Sequence, residues 1–104
     1  MFVLTVADAH ELVHSWRGAR PGKSPASWRR DAALRLVNAA NDESRGRTES
    51  ARVEREIAAV FEAAAVEREQ EIAARDAAFE AEERAREAAS EARIAALRAA
   101  RGIR

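Results

Sequence analysis

The sequence predicts an all-α protein, with two short helices followed by one long helix. From about Thr48 to Arg101 the chain has no glycine and no proline, and it consists mainly of alanine, glutamate and arginine, which are strong helix formers. Ahead of this segment, glycine, proline and small polar residues at 18–24 and 41–47 separate two shorter helical stretches. We therefore expect a helical N-terminal module at 1–47 and a long Ala-rich helix at 48–104 that could pair as a coiled coil.

The first helix is predicted to run from Val6 to about Arg17. Thr5 is typical of an N-cap, Asp8 completes a capping-box pattern, and Gly18 ends the helix. The residues at 2–5 are apolar and β-branched enough for a short strand. The apolar side of the helix should consist of Val6, Ala9, Val13 and Trp16.

The second helix should begin with Ser24 as N-cap and Pro25 as its first residue, and it should end near Asn41. We expect Trp28, Ala32, Leu36 and Val37 on its inner side and Arg29, Arg30 and Arg35 in water. The third helix should end at Gly102. Its large apolar residues stay on one broad face that drifts around the helix, without a regular seven-residue repeat.

Composition limits the class of protein. The chain of 104 residues suits one small domain, and its core should be thin because most of its hydrophobic residues are alanine. A formal net charge of zero argues against a general nucleic-acid binder. The absence of cysteine excludes disulfides and thiolate metal sites. With no apolar run of spanning length and no signal-peptide pattern, we expect no membrane insertion and a cytoplasmic location.

The most specific chemical pattern is the H-E-x-x-H run from His10 to His14. Residues four apart share one helix face, so His10 and His14 can offer two imidazoles to one metal ion. They flank the apolar side of the first helix, where half-buried histidines would suit a metal site; the alternative is that they are two partly exposed residues on an amphipathic helix. Zinc accepts imidazole ligands and lowers the pKa of bound water, from which a carboxylate such as that of Glu11 can take a proton.

The run from Ala9 to Trp16 resembles the active-site helix of HExxH zinc metallopeptidases, over about fifteen of the 104 residues. The resemblance implies that His10 and His14 are zinc ligands, that Glu11 is the general base, and that the substrate is a peptide or protein. The metzincin extension is absent, because Arg17 and Arg20 stand where it has glycine and histidine. The gluzincin pattern takes a glutamate from a later helix, for which Glu54 is the first choice and Glu56 the second.

Two further readings stay open. Such enzymes usually carry a multi-stranded sheet ahead of this helix, whereas nine residues precede His10, so the chain could be an incomplete or inactive fragment. Alternatively, the chain is a non-enzymatic helical interaction or assembly protein. Its long helix, 48–101, would then pair with a second copy or with a helical protein partner.

Overall fold

The computed structural model describes residues 4–102 and confirms the all-α prediction. Helix α1 spans Val6–Trp16, α2 spans Pro25–Ser44, and α3 spans Thr48–Ala100. Helix α2 is one turn longer at its C-terminus than the sequence predicts. Of the predicted strand at 2–5, Leu4 and Thr5 are not in a strand, and Phe2 and Val3 lie outside the described residues.

Side chains close the N-termini of α1 and α2 as predicted. At α1 the backbone N–H of Asp8 donates to the Thr5 hydroxyl at 3.0 Å, and the Thr5 N–H donates to the Asp8 carboxylate at 3.1 Å. At α2 the N–H of Ser27 donates to the Ser24 hydroxyl at 3.1 Å, and Pro25 occupies the first turn. These bonds satisfy N–H groups that have no partner inside the helix.

Helices α2 and α3 are joined by a short turn that Gly46 makes possible. Gly46 has a φ of +76°, which L side chains rarely adopt, and the next N–H, of Arg47, donates to the Asp42 carbonyl at 2.8 Å. The Asp42 carboxylate also accepts from the Ser50 hydroxyl at 2.6 Å, which ties the end of α2 to the start of α3. The first part of α3 therefore runs back antiparallel along α2.

The chain divides into two compact units, Met1–Gln70 and Glu71–Arg104. The predicted modules divide it earlier, at the start of α3. In the described part of the first unit, the core forms where all three helices meet. Its buried residues are Ala9, Trp28, Ala32, Ile57, Ala58, Phe61, Ala64 and Ala65, with Leu4, Val6, Val13, Val53 and Val60 packed against them. Two more alanines, Ala39 and Ala51, are buried near the α2–α3 turn.

Alanine determines how closely these helices approach. Seven of the ten buried hydrophobic residues in 4–102 are alanine, and Ile57 is the one large side chain that is fully buried. The predicted inner side of α2 is therefore partly wrong. Trp28 and Ala32 are buried as expected, but Leu36 and Val37 are exposed, and Ala39 occupies the next inner position.

In the second unit, described to residue 102, the remainder of α3 is solvated. Within 71–102 only Ile72 and Glu83 are half-buried, and every other residue is exposed. Gly102 ends the helix as predicted, with a φ of +67° and an N–H that donates to the Ala99 carbonyl at 3.1 Å. Across the described residues, none of the helices has an apolar stretch long enough to cross a lipid bilayer.

Candidate functional site

The HExxH residues lie on the outer side of α1. Ala9 is fully buried and Val13 is half-buried, so these two residues define the side that packs on the core. His10, Glu11 and His14 are all exposed. The half-buried position that would suit a metal site is therefore not observed, and the histidines match the alternative of exposed residues on an amphipathic helix. The spacing of four residues still places both imidazoles on one face of α1. In the described structure, neither histidine side chain makes a hydrogen bond or an ion pair.

The predicted third ligand does not converge with the histidines. Within residues 4–102, no group of three His, Asp or Glu side chains is arranged to hold a metal ion. Glu54 is on α3, and its carboxylate is 3.4 Å from Nη1 of Arg35. Glu56, the second choice, pairs with Arg52 in the same helix. Both glutamates therefore serve as partners of arginines, and the set of His10, His14 and Glu54 stays a prediction.

Among the residues that the structure describes, Arg35 and Glu54 form a well-shielded ion pair between α2 and α3. The Arg35 side chain is 25% exposed and that of Glu54 is 15% exposed. The prediction that Arg35 faces water is wrong, because a position seven residues after Trp28 lies on the same side of the helix. The guanidinium thus lies over the contact between α2 and α3 and neutralises a carboxylate that is mostly shielded from solvent.

A lysine between two indole rings joins the α1–α2 loop to the core. Nζ of Lys23 is 5.0 Å from the ring centroid of Trp28 and 5.9 Å from that of Trp16. The same ammonium is 2.8 Å from the Asp31 carboxylate. On the inner side, Trp28 packs against Phe61 with ring centroids 5.4 Å apart. Hence the most prominent aromatic cluster is occupied by the protein's own cation and serves to hold the loop.

Exposed arginine–glutamate pairs lie both between α2 and α3 and within α3. Arg29 pairs with Glu69 and lies 3.8 Å from Glu62, and the hydrogen bond to Glu69 raises the pKa of Arg29. At the start of α3, Arg52 donates to Glu49, which lowers the pKa of that carboxyl group. Both of these pKa shifts therefore come from arginine–glutamate pairing.

Large apolar side chains are exposed more often than they are buried. Three of them are buried in the described part of the chain, namely Trp28, Ile57 and Phe61. Nine are exposed: Leu12, Trp16, Leu34, Leu36, Val37, Val66, Phe79, Ile94 and Leu97. Contiguous exposed apolar side chains are typical of surfaces that bind another protein.

One such surface is the outer face of α2, which we define as Ala33, Leu34, Val37 and Ala40. All four residues are exposed, and Leu34 and Val37 retain 58% and 56% of their accessible area. Sequence reasoning missed this surface because it placed Val37 on the inner side of α2 and gave Leu34 no role. The usable signal was the helical angle. At 100° per residue, Leu34 and Val37 lie nearly opposite Trp28, Ala32 and Ala39.

The other surface is on the second unit, and we call residues 71–101 the C-terminal segment. Phe79, Ile94 and Leu97 are 61%, 45% and 52% exposed. Its charges are segregated along the helix. Residues 71–83 contain five acidic residues and one arginine, whereas 84–101 contain five arginines and two glutamates. The segment is thus acidic in its first half and basic in its second half.

Comparisons with known proteins add no family to these observations: no protein-family model, curated protein or solved structure matches the chain.

Proposed function

We propose that this chain is a non-enzymatic helical interaction protein that binds its partner through the C-terminal segment. The observation that carries the proposal is the exposure of this part of α3. From residue 73 to residue 100 every side chain except Glu83 is exposed, including Phe79, Ile94 and Leu97. Helical stability in proteins comes mostly from packing an apolar face, so a segment of this length with exposed aromatic and aliphatic residues suits a helical partner.

Composition supports the same proposal. Alanine on α3 lets a second helix approach closely, and the pairs of Arg86 with Glu82 at 3.4 Å and with Glu83 at 2.9 Å favour the helical form of the free segment. A preformed helix loses less conformational entropy on binding than a disordered segment does. The segment can therefore remain folded when it is free and still present its apolar side chains.

The test compares substitutions on the two sides of the segment. Phe79→Gln and Leu97→Gln should abolish retention of the partner, which is either another protein in an extract of the source cells or a differently tagged copy of the chain. Ala88→Gln is the matched control, because residue 88 lies on the opposite side of the helix from residue 79 and receives the same new side chain. Equal retention by all three variants and the wild type, or no retention by any of them, refutes the proposal.

A second candidate function is zinc binding of the metallopeptidase-like type by α1. It is supported by two exposed imidazoles four residues apart, both without an intrachain partner in the described structure, with Glu11 beside them. In that function His10 and His14 would hold the ion, and zinc would supply an activated water when bound. The predicted third ligand from this chain is Glu54, although Arg35 currently neutralises it.

Calorimetric titration of the metal-stripped chain with zinc tests this second candidate. We expect one site per chain, lost in His14→Ala. Glu11→Gln is the control, since a residue that acts as a base and not as a ligand leaves binding in place. Zinc binding that is absent, or that is indifferent to His14→Ala, removes this candidate and leaves the interaction function untouched.

A further inference from the structure

We infer that the partner of the C-terminal segment is a second copy of the same segment, aligned antiparallel. This inference rests on the proposed function and names the partner. It follows from the order of charges along the helix. The acidic half, 71–83, carries a net charge of −4, and the basic half, 84–101, carries +3. An antiparallel pair places each acidic half beside a basic half, whereas a parallel pair places like charges side by side and is repelled.

The large apolar side chains select the register. If residue i lies opposite residue 176 − i, Phe79 of each copy meets Leu97 of the other, and Ile94 is one turn away from that contact. Phe79 and Leu97 are eighteen residues apart, which is five turns of helix, so they project from the same side. Both are more than half exposed in the single chain. Because the pair is symmetric, the Phe79–Leu97 contact forms twice, and the pairing buries Phe79 and Leu97 of both copies.

The same register places a charged pair inside the contact. Positions 79, 83, 86, 90, 93 and 97 alternate in steps of four and three residues, the spacing of a helix–helix seam. In this seam Glu83 lies opposite Arg93 of the second copy, and Arg86 lies opposite Ser90. Glu83 is one of two half-buried residues within 71–102, held by Arg86 at 2.9 Å in its own chain. Opposite charges that face each other across a helix–helix seam fix its register and orientation.

The chain's own segment matches this surface better than an unrelated helix does. A different partner would need a basic half, an acidic half and apolar anchors at the same separation, in reversed order. A second copy meets all three requirements through symmetry alone. The central seam positions are charged or small, so the pair differs from a leucine zipper and derives its specificity from charge.

Charge reversal tests the pairing. Sedimentation over a concentration series should show self-association of the wild type. For Glu83→Arg or Arg93→Glu the dissociation constant should be roughly tenfold higher, because each change makes two symmetry-related contacts repulsive. The double variant Glu83→Arg/Arg93→Glu should return to within about threefold of the wild type. Arginine and glutamate have similar helix propensity, and circular dichroism should show unchanged helix content.

Fluorescence energy transfer tests the orientation. The chain has no cysteine, so Ala77→Cys and Ala99→Cys each give one labelling position. Both positions face away from the seam and lie eleven residues from its centre. In an antiparallel pair, labels at 77 and 99 on different copies lie side by side, while two labels at 99 are offset by about 33 Å along the axis, at 1.5 Å per residue. Transfer should therefore be stronger for the mixed pair than for either like pair.

Three outcomes would each overturn the inference. They are a wild type that stays monomeric, a double variant whose self-association is as weak as that of the single variants, and stronger energy transfer between like-labelled chains than between the mixed pair. These outcomes are separable from the proposed function. If the chain is monomeric but Phe79→Gln abolishes retention of another protein, the interaction function stands and the self-pairing falls. If neither self-association nor retention is found, both fall.

Discussion

Ile57 offers the most direct test of how the first unit is stabilised. It is fully buried in the cluster formed by α1, α2 and α3, and it is the largest side chain there with no measurable exposure. The substitution Ile57→Ala removes the equivalent of about three methylene groups, at about 0.8 kcal/mol each. A residual cavity adds to this loss, so we expect the free energy of unfolding to fall by about 3 kcal/mol.

That loss is large for a unit of this size. At roughly 0.05–0.15 kcal/mol per residue, a unit of about seventy residues has a total stability of only about 4–10 kcal/mol. Neighbouring alanines cannot expand into the space, because a methyl group has no other rotamer to adopt. The substitution therefore removes a considerable fraction of the stability, and part of the population should be unfolded at 37 °C.

Urea unfolding followed by tryptophan fluorescence measures this effect, since Trp28 lies in the same cluster and is 3% exposed. The control is Val66→Ala, which also truncates a branched apolar side chain in α3 of the same unit, at a residue that is 46% exposed. We expect this control to change the fluorescence-detected transition by less than about 0.5 kcal/mol. A cost below about 1 kcal/mol for Ile57→Ala, or equal costs for the two variants, would refute the assignment of the core.

Three further predictions concern the charges of the first unit. Lys23→Gln removes the cation from between two indoles and should lower the stability by about 1 kcal/mol in urea, whereas Lys23→Arg should retain most of it; equal losses would exclude a role for the charge. Arg35→Ala leaves the mostly shielded Glu54 carboxylate without its partner and should cost about 1–2 kcal/mol, more than for an exposed pair, with Arg30→Ala as the exposed control on the same helix. The pKa of Glu49 is lowered because Arg52 donates to its carboxylate, so its contribution is present above the ordinary pKa of glutamate and is lost as the pH falls through the lowered value. NMR titration should show that Arg52→Ala returns this pKa toward the ordinary range, and an unchanged value would contradict the assigned cause.

Local signals in the sequence predicted the helices well. The capping box of Thr5 and Asp8, the Ser24–Pro25 start and the glycine after the last helix depend on residues within a few positions of each other. Such interactions are the same in any tertiary context, so they can be read directly from the chain. The length of α3 follows similarly from an unbroken run of strong helix formers.

The inner and outer sides of α2 could not be predicted from hydrophobicity. The residues that pack are Trp28, Ala32 and Ala39, whereas Leu34 and Val37 face solvent. Hydrophobicity ranks leucine and valine above alanine, but close approach of two helices requires small residues at the contact. Which criterion applies depends on the facing helix, and that information is not local.

The candidate metal site likewise has a part that the sequence predicts and a part that depends on tertiary packing. The HExxH spacing alone places His10 and His14 on one face of α1, but the position of Glu54 relative to them depends on how α3 packs. In the structure the Glu54 carboxylate forms an ion pair with Arg35. A ligand contributed by a distant part of the chain cannot be assigned from spacing when glutamate is abundant.

By itself, the sequence determined the all-α class, the three helices with their caps, and the charge order of the C-terminal segment, because each depends on near neighbours or on helical periodicity. Only the tertiary structure decided which side of α2 is buried and which carboxylates arginines neutralise. The physical reason is that burial is a property of pairs of surfaces. The Ala-rich contact between α2 and α3 leaves Leu34, Leu36 and Val37 exposed to solvent.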